Sequence, residues 1–131
     1  LPGGDSGSLR YLDSVEDVWL RPLYAAASAL VVPSRYEGFS LPPLEALAAG
    51  TIPVVSDIAA HRETLKEVLP GHLFFDPSSR SSLERALVAT EEGGEPLRAS
   101  ILEKFKLVRE RYSFVETARL VESVYREALR G

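Results

Sequence analysis

The sequence predicts an α/β fold, a Rossmann-like parallel sheet flanked by helices. Three observations predict it. Short apolar runs alternate with amphipathic stretches along the chain, the signature of a mostly parallel sheet with helical crossovers. Two of those runs, Ala29–Val32 and Ile52–Ser56, are continuous rather than alternating, as in strands buried on both faces. Between them lies a glycine-containing loop that enters a helix through two prolines.

The elements follow in chain order. Residues 1–8 (LPGGDSGS) read as a flexible tail or linker, leaving residues 9–131 as a single, partial domain. Residues 9–12 form a short strand candidate. Asp13 or Ser14 then caps a helix with Val18, Leu23 and Ala27 on its apolar side, and Pro22 inside it predicts a kink or break. Ala29–Val32 is the first buried strand and residues 35–41 a loop. Pro42 and Pro43 fit only the first turn of a helix, which Gly50 stops. Ile52–Ser56 is the second buried strand, residues 61–68 a short helix, and residues 73–75 a third apolar run closed by Asp76-Pro77. Residues 82–92 are helical up to Gly93-Gly94. Residues 96–112 follow as a helix with Leu97, Ile101, Phe105 and Val108 on one stripe. A last helix over residues 114–129 is expected to turn Phe114, Val121, Val124, Tyr125 and Ala128 inward. The two closing helices depart from strict alternation and suit packing across a neighbouring domain.

Bulk properties narrow the function. The chain has 131 residues, 45% of them hydrophobic, enough for a real core. A net charge of −4 argues against a general nucleic-acid binder. No basic run marks an anionic membrane surface, and no apolar stretch is long enough to span a bilayer. The absence of cysteine excludes disulfides and thiolate metal sites and fits a cytoplasmic location. Without methionine, Leu1 does not read as a natural start, so a piece of a longer protein is expected.

Residues 33–57, PSRYEGFSLPPLEALAAGTIPVVSD, carry the chemistry. In open α/β sheets, ligands sit beyond the carboxyl ends of the strands. A loop entering a helix there presents backbone N–H groups to an anion. Gly38 permits close backbone approach, and Ser40 either caps the helix or touches a phosphate. A phosphate-bearing ligand is the physical expectation. Two carboxylates flank the loop. Glu45, in the first helical turns, suits a vicinal diol such as a ribose, or serves only the helix macrodipole. Glu37, in the loop, suits a second polyol, or is an ordinary loop acid. Asp57 ends a strand on the ligand side and either faces the site or caps the next helix. His61, after the strand-end loop, either faces the cleft or, the preferred reading, is a solvated helix-start histidine, and His72 reads as a strand edge. Neither offers a metal-site spacing. Arg35 is expected on the surface, Tyr36 near sugar or acceptor, and the cations of residues 98–111 on a solvated helix face.

Glu37 and Glu45, separated by seven residues in YEGFSLPPLE, resemble the E-x7-E signature of retaining GT-B glycosyltransferases, the family 4-like group of mannosyl-, glucosyl- and N-acetylglucosaminyltransferases and glycogen synthases. The flanking VVPS, AAGTIPVVSD and FFDP are similar too, and the likeness covers residues 9–129. The resemblance implies the truncated C-terminal, donor-binding half of a GT-B fold that moves a hexose from a nucleoside diphosphate sugar to a hydroxyl. It implies Glu45 on the ribose and Glu37 as the catalytic residue meeting the transferred sugar. Backbone amides of Gly38, Phe39, Ser40 and Leu41 would hold the diphosphate. No cofactor and no metal is implied, the sugar nucleotide being substrate. Ser40 replaces a frequent family glycine. The Arg and Lys pair that grips the diphosphate in the family lies on preceding strand-helix units, and residues 1–8 cannot supply it. The partner expected is therefore an N-terminal acceptor domain or another chain. Enzymes of this kind often work at the inner membrane face on lipid acceptors. The rival expectations are a non-catalytic subunit that binds nucleotide or a partner chain, and a GT-B nucleotide-sugar epimerase. Residues 9–12 and Ala29–Val32 resemble the third and fourth strands of the family domain. The fourth is then left with an open edge that a second chain closes, unless residues 9–12 move beside it.

Overall fold

The computed structural model describes residues 9–130, so the tail expected over residues 1–8 lies outside the described residues. Ten residues, Asp17–Ala26, form α1. Strand β1 (Ala29–Val32), helix α2 (Pro42–Ala49), strand β2 (Ile52–Ser56) and helix α3 (Ala59–Leu65) follow, then a 3-10 turn at Gly71–Leu73 and strand β3 (Phe74–Phe75). Helix α4 spans Arg80–Val108, a 3-10 turn spans Arg109–Tyr112, and α5 covers Phe114–Ala128. The sheet is parallel, in the order β1-β2-β3. Ala29 faces Ile52 and Val32 faces Val55 in one register, and Val55 faces Phe74 in the other.

Every residue of β2 is buried, which is why its sequence IPVVS shows no polar alternation. Helix α2 packs on β1 and β2, and α4 packs on β2, β3 and the turn before β3. Their apolar faces meet in one core that includes Leu44, Leu47, Val54, Leu65, Leu73 and Ile101. Gly50 closes α2 with φ 90°, a left-handed conformation that a side chain strains, and its N–H returns to the carbonyl of Leu47. Ser79 caps α4 by accepting from the N–H of Ser82. Gly94 (φ 48°, ψ −145°) breaks α4 between the two helical stretches read from the sequence, and Pro96 follows in the first turn of the second.

Several expectations are corrected. Residues 9–12 are not a strand, and Leu9, Tyr11 and Leu12 are exposed. They pair with no strand, and β1 carries no second neighbour among the described residues. Helix α1 starts at Asp17 rather than after Asp13 or Ser14, with Glu16 at its N-cap and no side-chain cap. It runs on through Pro22. Val18 is 69% and Leu23 45% exposed, because α1 rests on α2 through one flank and its apolar stripe meets no second layer. Helix α3 occupies Ala59–Leu65 rather than residues 61–68. His72 lies exposed in the 3-10 turn, not on a strand edge. In α5, Phe114 is 89% and Val124 64% exposed, and no residue is buried. The stripe exists, but the described residues supply no surface for it.

Candidate functional site

The candidate site lies where β1 ends and α2 begins. Its loop, residues 35–41, leaves the carboxyl end of the sheet, as ligand loops of parallel sheets do. The consecutive prolines shape it. Pro42 and Pro43 have no N–H, so the first helical donor is Leu44, and its N–H already meets the Leu41 carbonyl at 2.9 Å. The Glu45 N–H meets the same carbonyl at 3.0 Å. The helix itself thus has no free donor in its first turn. Among the described residues no hydrogen bond engages the N–H of Gly38, Phe39, Ser40 or Leu41, so the loop holds the donors instead. Gly38 is exposed, and a Cβ built there would meet no atom within 4 Å. Its φ lies outside the positive region, so the fold alone does not require glycine.

Glu37 is half-buried, and its Oε1 accepts a hydrogen bond from the Ser34 hydroxyl. That bond holds the carboxyl below the ordinary glutamate range. The Ser40 hydroxyl and the nearby His61 ring lower it further, against a partial desolvation that raises it. Ser40 is 1% exposed and does not cap α2. Its Oγ acts on Glu37 electrostatically but falls outside hydrogen-bond geometry to any described partner. Glu45 is exposed, and its Oε2 accepts the Tyr24 hydroxyl at 3.1 Å. Along the chain the four amides lie between the two carboxylates, Glu37 in the loop before them and Glu45 on α2 after them.

His61 is the largest correction at the site. Expected in solvent, it is 0% exposed. Its Nδ1–H donates to the Ser56 carbonyl at 2.8 Å. Nε2 is buried without a partner among the described residues. The Ser56 hydroxyl in turn donates to the Ser34 carbonyl. No side-chain pattern announces this burial, because the ring's partner is a backbone carbonyl.

Asp57 neither caps α3, whose N-cap is Ile58, nor faces the loop unpaired. Arg62 grips it with Nε at 2.6 Å and Nη2 at 2.7 Å, and the guanidinium lies 4.0 Å above the centre of the Phe74 ring. This ion pair depresses the Asp57 carboxyl. Arg35 and Tyr36 are exposed. A cleft of about 1130 Å³ runs beside α2, with Phe39, Leu41 and Glu45 on one wall and Lys106, Arg109 and Tyr112 on the other. Cations read as merely solvated thus border the same cleft as Glu45, a proximity that no periodicity in one helix reveals. Among the described residues no cluster of acidic and histidine side chains could hold a metal ion, and no helix is long and apolar enough to cross a membrane.

The site joins an open parallel sheet, a loop at its carboxyl end whose amides are unpaired among the described residues, and the carboxylates of Glu37 in the loop and Glu45 on α2. The chain belongs to the family described as glycosyl transferases group 1, whose profile matches residues 6–106. It is 39% identical over 82 residues to the O-antigen chain mannosyltransferase RfbU of Salmonella typhimurium, covering 63% of this chain and 22% of that protein. It is 31% identical over 121 residues to the glycogen synthase of Thermus thermophilus, covering 92% and 26%. It is 28% identical over 130 residues to the GDP-mannose:cellobiosyl-diphosphopolyprenol alpha-mannosyltransferase of Komagataeibacter xylinus, covering 96% and 32%. The chain thus spans 22 to 32% of the length of these relatives. No solved structure matches it.

Proposed function

We propose that this chain is the donor-binding part of a retaining glycosyltransferase that moves a hexose from a nucleoside diphosphate sugar to a hydroxyl acceptor. One observation carries the reading: the four free amides of Gly38 to Leu41 lie between a carboxylate on each side. Amides meet the diphosphate and stabilise it as it leaves, an electrostatic role of the oxyanion-hole type. Glu45 takes the ribose hydroxyls and Glu37 orients the sugar. The depressed Glu37 carboxyl supports this, because an ionised carboxylate accepts sugar hydroxyls and stabilises positive charge at the anomeric region. Two mannosyltransferases and a glycogen synthase among its relatives favour a hexose, and one relative's name specifies GDP-mannose.

The acceptor side belongs to a further domain or chain. The exposed stripes of α1 and α5 and the unpaired edge of β1 favour that arrangement. The same surfaces keep a second reading alive, a subunit that binds nucleotide or a partner without transferring sugar.

Calorimetric or thermal-shift titration with UDP, GDP, ADP and their sugars, on the protein and on Glu45→Ala, tests the proposal. Ligand at a hundredfold its dissociation constant should stabilise the fold by roughly 2.7 kcal/mol. One nucleotide should bind and lose affinity in Glu45→Ala. Binding of none would defeat the donor reading for this chain.

A further inference from the structure

Three hydrogen bonds, joined through the residues Ser56 and Ser34 rather than donor to acceptor, link β2 and α3 to the loop. His61 Nδ1–H donates to the carbonyl of Ser56, the Ser56 hydroxyl donates to the carbonyl of Ser34, and the Ser34 hydroxyl donates to Glu37. His61 and Ser56 are fully buried, so this end of the relay is fixed in the core. The other end is the carboxylate beside the free amides. The relay also crosses two strands, since Ser56 ends β2 and Ser34 lies just beyond β1.

Two features mark the relay as more than packing. Among the described residues, the buried side-chain atoms without a partner are Ser40 Oγ and His61 Nε2, and both belong to residues that lower the Glu37 carboxyl. Buried polar atoms without partners are rare and destabilising, and persist where the surroundings over-determine them. A leucine at position 61 would satisfy the core without leaving such an atom. What leucine cannot do is donate to the Ser56 carbonyl.

We propose that His61 is a positioning residue for Glu37, acting through Ser56 and Ser34 to aim the carboxylate at the transferred sugar. His61 does not itself touch the donor. The inference rests on the donor reading above and assigns a determinant of the sugar, not of the nucleotide. Loss of the relay frees Glu37 to swing without disturbing Glu45 or the loop amides. The contribution of the hexose to affinity should then fall, while that of the nucleoside diphosphate stays.

The test compares dissociation constants for GDP-mannose against GDP, UDP-glucose against UDP and ADP-glucose against ADP. The proteins are wild type, Glu37→Gln, Ser34→Ala, His61→Leu, His61→Asn and the double variant Ser34→Ala/His61→Leu. Thermal melting of each variant checks its fold. The advantage of the sugar nucleotide over its diphosphate should shrink about tenfold in Ser34→Ala and His61→Leu, as for loss of a charge-assisted hydrogen bond. His61→Asn, whose amide can donate where Nδ1 does, should restore most of it. The double variant should lose no more than the larger single loss, because the residues act in series. Equal weakening of sugar nucleotide and diphosphate, or an unchanged advantage in Ser34→Ala, overturns the assignment even if His61→Leu fails to fold. The carboxyl carbon of Glu37, titrated by NMR without ligand, gives an independent readout. Its midpoint should rise in Ser34→Ala and His61→Leu and return in His61→Asn, and a midpoint unmoved in Ser34→Ala also overturns it. Binding of no nucleotide by the wild type removes the donor reading and this role with it.

Discussion

The Tyr24 hydroxyl donates to Glu45 Oε2 at 3.1 Å, so a residue of α1 holds the carboxylate assigned to the ribose. Partial burial, then this bond and the carboxylate's charge, raise the Tyr24 pKa, so its hydroxyl remains a donor throughout the neutral range. The bond occupies one oxygen of Glu45 and limits the carboxylate's rotation. Tyr24→Phe should weaken nucleotide binding several-fold, through lost preorganisation, while stability changes by less than about 1 kcal/mol for this exposed pair. Calorimetry with the nucleoside diphosphate alone checks it, and tighter binding by the variant would show the tyrosine to be a competitor of the ribose.

Gly38 and Gly50 should separate function from fold. Gly50 has φ 90°, and a Cβ there would sit 3.3 Å from an Arg98 nitrogen. Gly50→Ala should cost about 1–2 kcal/mol, the penalty of a left-handed L-residue. Gly38 has neither a positive φ nor a neighbour within 4 Å. Gly38→Ala should leave the denaturant midpoint within about 0.5 kcal/mol of wild type and reduce sugar-nucleotide affinity, because the methyl enters the space before the amides. Urea melts beside titrations would decide both, and a Gly38→Ala protein that binds normally would mean the space is not used.

Ser40→Ala should weaken binding without weakening the fold. Removing a buried hydroxyl that lacks a hydrogen-bond partner offsets the lost support of the Glu37 carboxylate, so stability without ligand should change by less than about 1 kcal/mol. If that hydroxyl serves the diphosphate, affinity should drop at the same time. A destabilised variant in thermal melts would show that the hydroxyl already has a partner.

Stability should fall on the acid side. Glu37 and Asp57 both have carboxyls depressed in the folded state, the first by Ser34 and the second by Arg62. A depressed carboxylate stabilises the fold above its unfolded pKa, about 4 for these residue types, and that stability is lost as pH falls through the lower folded value. Melting temperature should therefore decline below about pH 4, and less steeply in Asp57→Asn, which begins less stable at neutral pH. Identical acid slopes in the two proteins would remove Asp57 from the account.

Legibility followed the location of each residue's partners. Strands β1 and β2, the proline entry of α2, its Gly50 stop and the break near Gly94 were legible because local geometry and two-sided burial leave marks in consecutive residues. The pair Glu37 and Glu45 stood out by spacing and resemblance; Glu37 lies in the loop and Glu45 in the first turn of α2. His61 was misread because its partner is a backbone carbonyl, which no side-chain pattern announces. The stripes of α1 and α5 were read as inward because amphipathicity records that a helix has a partner but not where that partner comes from. Residues 9–12 carry strand-like side chains yet do not join the open edge of β1, because strand formation depends on a pairing that local side chains do not encode.

Among the described residues, strand β1 is tied down on one flank only, by β2, whereas β2 is clamped from both sides. Amide hydrogen exchange should accordingly be slowest in β2 and faster in β1. The loop with Glu37 hangs from the less protected strand, so the site inherits that strand's local opening. Any polypeptide segment that zips onto the free flank of β1 would slow its opening and, without touching the loop, rigidify the amides and carboxylate that follow it.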